Sequence, residues 1–175
     1  MLRDPPGEAR VISLHLGIDP GIKGAWALLD DRGRFVTAQD MPIGEDGRID
    51  AESLHRVWSD LSVASATIEK VGQITRIKGR AMGISGRFNF GWSAGVPDTV
   101  LRILGVPVDY TDPTVWKPGI GVTAEKATPL AMARRLWPSE AAVHFKRVKH
   151  ADWAEAALIG LYGLHQRALL RRGVA

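Results

Sequence analysis

The stretch LGIDPGIKGAWALLD, Leu16 to Asp30, runs apolar residues into a carboxylate, breaks at Pro20, Gly21 and Gly24, and turns apolar again. It reads as two strands joined by a tight turn, with Asp19 ending the first. RVISLHLGID (10–19) is rich in β-branched residues and leucine, and GAWALLD (24–30) is its partner. DRGR (31–34) is a second turn, in which Gly33 can take positive φ, and FVTAQDM (35–41) is a third strand. Three strands with short turns form an antiparallel meander.

Beyond the meander, DAESLHRVWSDL (50–61) spaces Leu54, Val57, Trp58 and Leu61 as a helix, with Asp50 as N-cap. SATIEK (65–70) is a short strand carrying Glu69, and 72–82 is a basic, glycine-bearing mobile loop. Residues 84–105 read as a helix that Pro97 kinks or divides near Val96. VPVDYT (106–111) is a fifth strand, and DPTVWKPGIGVT (112–123) is irregular. A helix then starts with Thr128 as N-cap and Pro129 at its first position and stops at Pro138, and 151–171 form a last, largely apolar helix. The expected fold is α/β: a five-stranded mixed sheet, the meander plus two parallel strands, flanked by helices, because passing from strand one to strand four needs a crossover.

The chain of 175 residues is 45% hydrophobic, which suits one domain with its own core, expected over 11–172 after a flexible arm at 1–10. It has no cysteine, so disulfides, thiol catalysis and cysteine-ligated zinc are excluded. MLRDPPGEAR (1–10) lacks the apolar core of a signal peptide, and no apolar run approaches a membrane span, so a cytoplasmic protein is expected. A formal charge of +4 permits a polyanionic partner without demanding one.

Three acidic features stand at conspicuous places. Asp19 and Glu69 end strands one and four, while Asp152 and Glu155, at i and i+3, share one face of the last helix. Each has an ordinary explanation: a good Asp-Pro-Gly turn, a surface Glu69–Lys70 pair, and acids complementing a helix N-terminus. If strands one and four are neighbours, all four carboxylates can converge at one sheet edge. Their mutual repulsion is relieved by divalent cations, and oxygen-only ligands favour Mg2+ or Mn2+. Two such ions can serve phosphodiester hydrolysis.

The sequence resembles the RuvC-type Holliday junction resolvases of the ribonuclease H-like nucleases, particularly their divergent phage-type branch. The resemblance runs from about Ser13 to His165 and rests on GIDPG (17–21), IEKV (68–71), GWSAG (91–95), WKPGIGVTAEKA (116–127) and HADWAEAALIGLYG (150–163). It implies a Mg2+-dependent endonuclease, with Mn2+ able to substitute, acting as a homodimer on branched DNA. By position, Asp19, Glu69, Asp152 and Glu155 would be its catalytic, metal-binding tetrad, Glu155 standing where many members carry aspartate. No aromatic follows Glu69 as in better-known members; Phe88, Phe90 and Trp92 are substitutes or, at helical spacing, core.

Arg76, Lys78, Arg80 and Arg87 follow Glu69, Lys146, Arg147 and Lys149 precede Asp152, and Lys117 and Lys126 lie between. These nine are the expected DNA-binding residues, positioning phosphates without reading sequence. Arg134–Arg135 and Arg171–Arg172 read as solvated faces, His15 as structural, and His150 as either a proton carrier, an outer-shell partner or structural. Two other functions use the same features: a flap or fork nuclease with the same site, and a nucleotide-binding domain like those of the actin-like ATPases, whose first phosphate loop resembles GIDPGIKG.

Overall fold

The computed structural model describes residues 13–70, 76–77, 80–81, 83–122 and 127–173; the expected N-terminal arm lies outside them. β1 (Leu14–Asp19), β2 (Ala25–Asp30) and β3 (Phe35–Asp40) form the antiparallel meander. Its second turn is pinned by Asp30, whose Oδ1 accepts from the Arg32 and Arg34 amides at 3.0 and 2.8 Å while Gly33 takes φ 76°. α1 (Ala51–Ser59) is capped by Asp50, which accepts from the Glu52 and Ser53 amides. It leads into β4 (Val63–Glu69), which lies parallel to β1.

Arg76–Ile77 and Arg80–Ala81 pair as the two-residue strands β5 and β6, so the stretch expected as an open loop carries a small antiparallel ladder. α2 (Ile84–Ile103) follows, and β7 (Val108–Thr111) completes the five-stranded sheet in the order β3-β2-β1-β4-β7. β7 is parallel to β4. Then come α3 (Pro113–Gly119), α4 (Ala127–Leu136), a single 3-10 turn (Val148–His150) and α5 (Ala151–Arg171). Among the described residues no helix is long and apolar enough to cross a membrane.

The sheet is covered on both faces. Along β2, Ala25, Ala27 and Leu29 join α4 and α5 in one core, while Trp26 and Leu28 join α1 and the second half of α2 in another. Every residue of β2 is therefore buried, and its near-continuous apolar sequence follows from that.

Of the two outcomes expected at Pro97, division does not occur: α2 is one helix from Ile84 to Ile103, and Val96 before the proline and Val100 and Leu101 after it pack into one core. Two further expectations need correction. Residues 112–123 are not irregular throughout: Asp112 caps α3 by accepting from the Thr114 amide at 2.8 Å, with Pro113 in the first turn, where no N–H is needed. Thr128 lies inside α4 rather than capping it, since the helix already includes Ala127.

α5 lies directly on the sheet's backbone. A Cβ on Gly17 of β1 would sit 2.0 Å from the Ala156 carbonyl oxygen and 2.4 Å from the Gly160 nitrogen. A Cβ on Gly163 would sit 1.8 Å from Thr67 Oγ1. At Gly17 helix and strand touch without intervening side chains, and neither backbone can give way cheaply. Gly17→Ala is expected to destabilise the fold by at least about 3 kcal/mol, at the upper end of overpacking effects, as read from a denaturant midpoint.

Candidate metal centre

The glycine contacts fix how α5 runs along the central strands. His15 and Thr67 lie by Gly163, and Gly17 lies by Ala156 and Gly160, so higher numbers on β1 meet lower numbers on α5. Asp19 is two residues beyond Gly17 and points to the same face. A step of about 6.6 Å along the strand matches about four residues of helix, which carries Asp19 to the first turns of α5. There it meets Asp152 and Glu155: one carboxylate oxygen from each of the three lies within 4.8 Å of the others. The DPGIKG turn leaves abruptly, the Gly21 amide donating to the Asp19 carbonyl at 3.1 Å and the Gly24 amide to the Gly21 carbonyl at 2.8 Å.

Glu69 ends β4 next door, since Ile18 pairs with Ile68. It stands beside the three-carboxylate group rather than within it. Trp116 Nε1 donates to Glu69 Oε2 at 2.6 Å, and the indole is completely buried. The adjacent Lys117 donates from Nζ to Glu155 Oε1 at 2.5 Å, both side chains about a quarter exposed. α3 thus holds two of the four expected carboxylates with consecutive residues.

The electrostatics are strained. Burial first, then Glu155, Glu69 and Asp152, push the Asp19 carboxyl up to about 8, against a smaller opposing pull from Lys117. Burial also raises Glu69, partly opposed by its hydrogen bond from Trp116 and by Lys117. Asp19 therefore holds a proton that solvent would remove. An oxygen-only group of this density fits a hard divalent cation, which would displace that proton.

The expected basic residues divide. Lys117 reaches the centre. Lys149 borders a cleft of about 400 Å3 with Lys23, Asp40, His150, Asp152 and Trp153, so it adjoins the same edge. Lys146 and Arg147 are exposed just before the 3-10 turn. Arg76 and Arg80 are placed by backbone in the β5–β6 ladder and Arg87 by backbone in α2. Lys78 and Lys126 lie outside the described residues. Arg134 is no idle surface residue: its guanidinium donates to the Phe145 and Lys146 carbonyls at 2.7 and 2.9 Å, bracing the segment that leads to Asp152.

His150 is buried and stacked on Trp153, with ring centroids 4.6 Å apart and planes at 8°, and burial holds its pKa below the usual histidine value. Those contacts suit the structural reading. His15 is structural: Nδ1 is 2.7 Å from Ser65 Oγ and Nε2 is 3.0 Å from Thr67 Oγ1, and burial lowers its pKa to about 3. A larger hollow of about 630 Å3, lined by Leu14, Phe35, Leu136 and Trp137, lies at the other end of β1 from Asp19.

Phe88 and Trp92 are not core. They are 60% and 46% exposed, the residues of α2 that join the core being Val96, Val100, Leu101 and Leu104, and Arg48 stacks over Trp92 at 4.3 Å. The Phe90 side chain lies outside the described residues. Sequence reasoning missed Trp116 and Asp40, the latter accepting from Trp153 Nε1 at 2.5 Å. The Asp-Pro start of α3 was the available signal for Trp116; nothing in the sequence marks Asp40.

The mixed five-stranded sheet, with β1, β4 and β7 parallel and helices on both faces, is a ribonuclease H-like fold. Within it, the fold is of the RuvC type. Thermus thermophilus RuvC in complex with a Holliday junction substrate superimposes with a TM-score of 0.60 at 18% identity, over 93% of this chain and 98% of that one. A second T. thermophilus RuvC structure gives 0.58 at the same identity and coverage. No protein-family model and no curated protein matches the sequence.

The raised Asp19 pKa has a consequence in metal-free protein. Between about 4 and about 8 the folded chain holds a proton that the unfolded chain has lost, so stability falls as pH rises through that window. Asp19→Asn should raise the melting temperature in EDTA at pH 8 and flatten its pH dependence, as followed by circular dichroism. An unchanged slope would contradict the raised Asp19 pKa.

Proposed function

We propose that the protein is a divalent-metal-dependent endonuclease that cuts branched DNA, four-way junctions foremost, by symmetric hydrolysis of two phosphodiesters. The observation that carries this reading is the meeting of Asp19, Asp152 and Glu155, with Glu69 alongside, at one edge of a RuvC-type sheet. Asp19, Glu69, Asp152 and Glu155 would hold two Mg2+ ions, or Mn2+ in their place. Such ions, when bound, neutralise the scissile phosphate, make water more acidic and stabilise the departing oxygen.

The chain's own residues supply the rest. Asp19 and Glu69, fixed at strand ends, and Asp152 and Glu155, fixed on a helix packed backbone to backbone, form a rigid cradle. Lys117, beside Glu155, is placed to meet a non-bridging phosphate oxygen. Lys149 at the adjoining cleft, with Lys146 and Arg147, would track the backbone, and the basic 76–87 region would extend that path. Hydrolysis forms a bond from the water oxygen to phosphorus and breaks the bond to the 3′ oxygen, leaving 5′-phosphate and 3′-hydroxyl ends.

Cutting both strands symmetrically requires two copies. The exposed Ile84, Phe88 and Trp92 at the outer end of α2 are the surface we assign to their pairing. A Phe88→Glu/Trp92→Glu double variant should then sediment as a monomer where the parent sediments as a dimer.

The decisive assay incubates the protein with a synthetic four-way junction, with Mg2+ or EDTA, and examines both strands. Paired symmetric nicks in Mg2+ alone are expected, with at least a thousandfold loss of rate in Asp19→Asn and junction binding retained. An Asp19→Asn protein that cuts near the parental rate would remove the tetrad assignment. Equal cleavage of a flap in competition would move the substrate to branched DNA in general. ATP-dependent thermal stabilisation without DNA binding would favour the nucleotide-binding reading.

A further inference from the structure

Glu69 differs from the other three expected ligands in what holds it. Its Oε2 accepts from the indole N–H of Trp116 at 2.6 Å, a hydrogen bond between a fully buried donor and a part-buried carboxylate. The donor itself cannot drift. Trp116 is in the core formed by α4, α5 and the inner face of β2, and α3 is anchored to the sheet edge through the Asp112 cap. The Lys70 amide donates to the Thr111 carbonyl at 2.7 Å, tying the residue after Glu69 to the strand that enters α3. Lys117 Nζ lies 5.2 Å from the Trp116 ring centroid, so the ammonium that grips Glu155 also packs on the indole.

We propose that Trp116 is a positioning residue that sets cation selectivity, by engaging one oxygen of Glu69 so that two-oxygen binding of a metal by this carboxylate is disfavoured. The proposal rests on the metal-centre reading of the four carboxylates. Its physical basis is the difference between the two common hard cations. Mg2+ demands a compact octahedron at about 2.0–2.1 Å and is satisfied by single oxygens and water. Ca2+ takes roughly six to eight oxygens and readily accepts both oxygens of one carboxylate. A glutamate with one oxygen spoken for by a rigid, buried N–H suits the first and penalises the second. An outer partner of this kind also fixes the ligand's rotamer, which ordinarily changes metal affinity by about 10–100-fold when removed.

Trp116→Phe deletes the N–H and retains an aromatic ring in the core. The test loads the full-length protein, without DNA, with Mn2+, and follows its displacement by Mg2+ or Ca2+ with electron paramagnetic resonance. In the parent, Mg2+ should displace Mn2+ at lower concentration than Ca2+. In Trp116→Phe the ratio of Ca2+ to Mg2+ effectiveness should rise by about tenfold. An unchanged ratio in a folded variant overturns the proposal while leaving the metal centre intact, and failure of the parent to bind Mn2+ removes both. A second measurement needs no variant: in 15N-tryptophan-labelled parent, the Trp116 indole proton should stay protected from exchange at saturating Mg2+. Its loss of protection on metal binding would overturn the proposal.

Discussion

The contact between the backbone of α5 and the backbone of β1 determines the rest of the structure. Gly17 and Gly160 meet with no side chain between them, and Gly163 leaves room for the side chains of Thr67 and His15. Close approach lets the helix act as a ruler: once Gly163 is set against Thr67 and Gly17 against Gly160, the position of every residue towards the helix start follows from two fixed rises. Asp152 and Glu155 come to Asp19 because of glycines one to three turns away. A shift of the helix by one residue would rotate both acids off that face.

This rigid packing opposes an unfavourable charge arrangement. Three carboxylates with oxygens within 4.8 Å of one another, and a fourth close by, repel, and burial magnifies the repulsion. Among the described residues, Lys117 donates to Glu155 and Trp116 to Glu69, both from α3. The strain is plainest at Asp19, whose carboxyl is pushed up by burial and by the other three acids. The helix start contributes as well: Asp152 lies in the first turn of α5, where the aligned peptide dipoles favour negative charge.

Much of this was legible in the sequence, for reasons that differ by element. β1 to β4 announce themselves through apolar runs, the Gly33 turn and the Asp50 cap, all local signals that the fold leaves intact. Asp19, Asp152 and Glu155 could be grouped because strand ends and an i, i+3 pair restrict where carboxylates point. The failures were of two kinds. α3 is too short for a periodic apolar pattern, and its prolines and glycines disguised a helix whose cap, Asp112, was in plain view. Phe88 and Trp92 have helical spacing, but spacing fixes a face and not what covers it, and both side chains are exposed. The Trp116–Glu69 bond joins residues brought together only by the β4–β7 pairing, and so was invisible until that pairing was known.

The order of the four carboxylates along the chain also bears on when the centre comes into being. Asp19 is on the first strand and Asp152 and Glu155 are on the last helix, with Glu69 and its α3 partner between. The parallel β1–β4 pair is itself non-local, and closing it precedes any favourable contact it makes. A growing or partly folded chain therefore carries Asp19 and Glu69 without the opposing pair, and has no complete set of oxygens with which to capture a cation. Competence arrives with the docking of α5, in the same event that seals the glycine interface and buries the core beneath it. Folding and the assembly of the carboxylate group are in this way one transition.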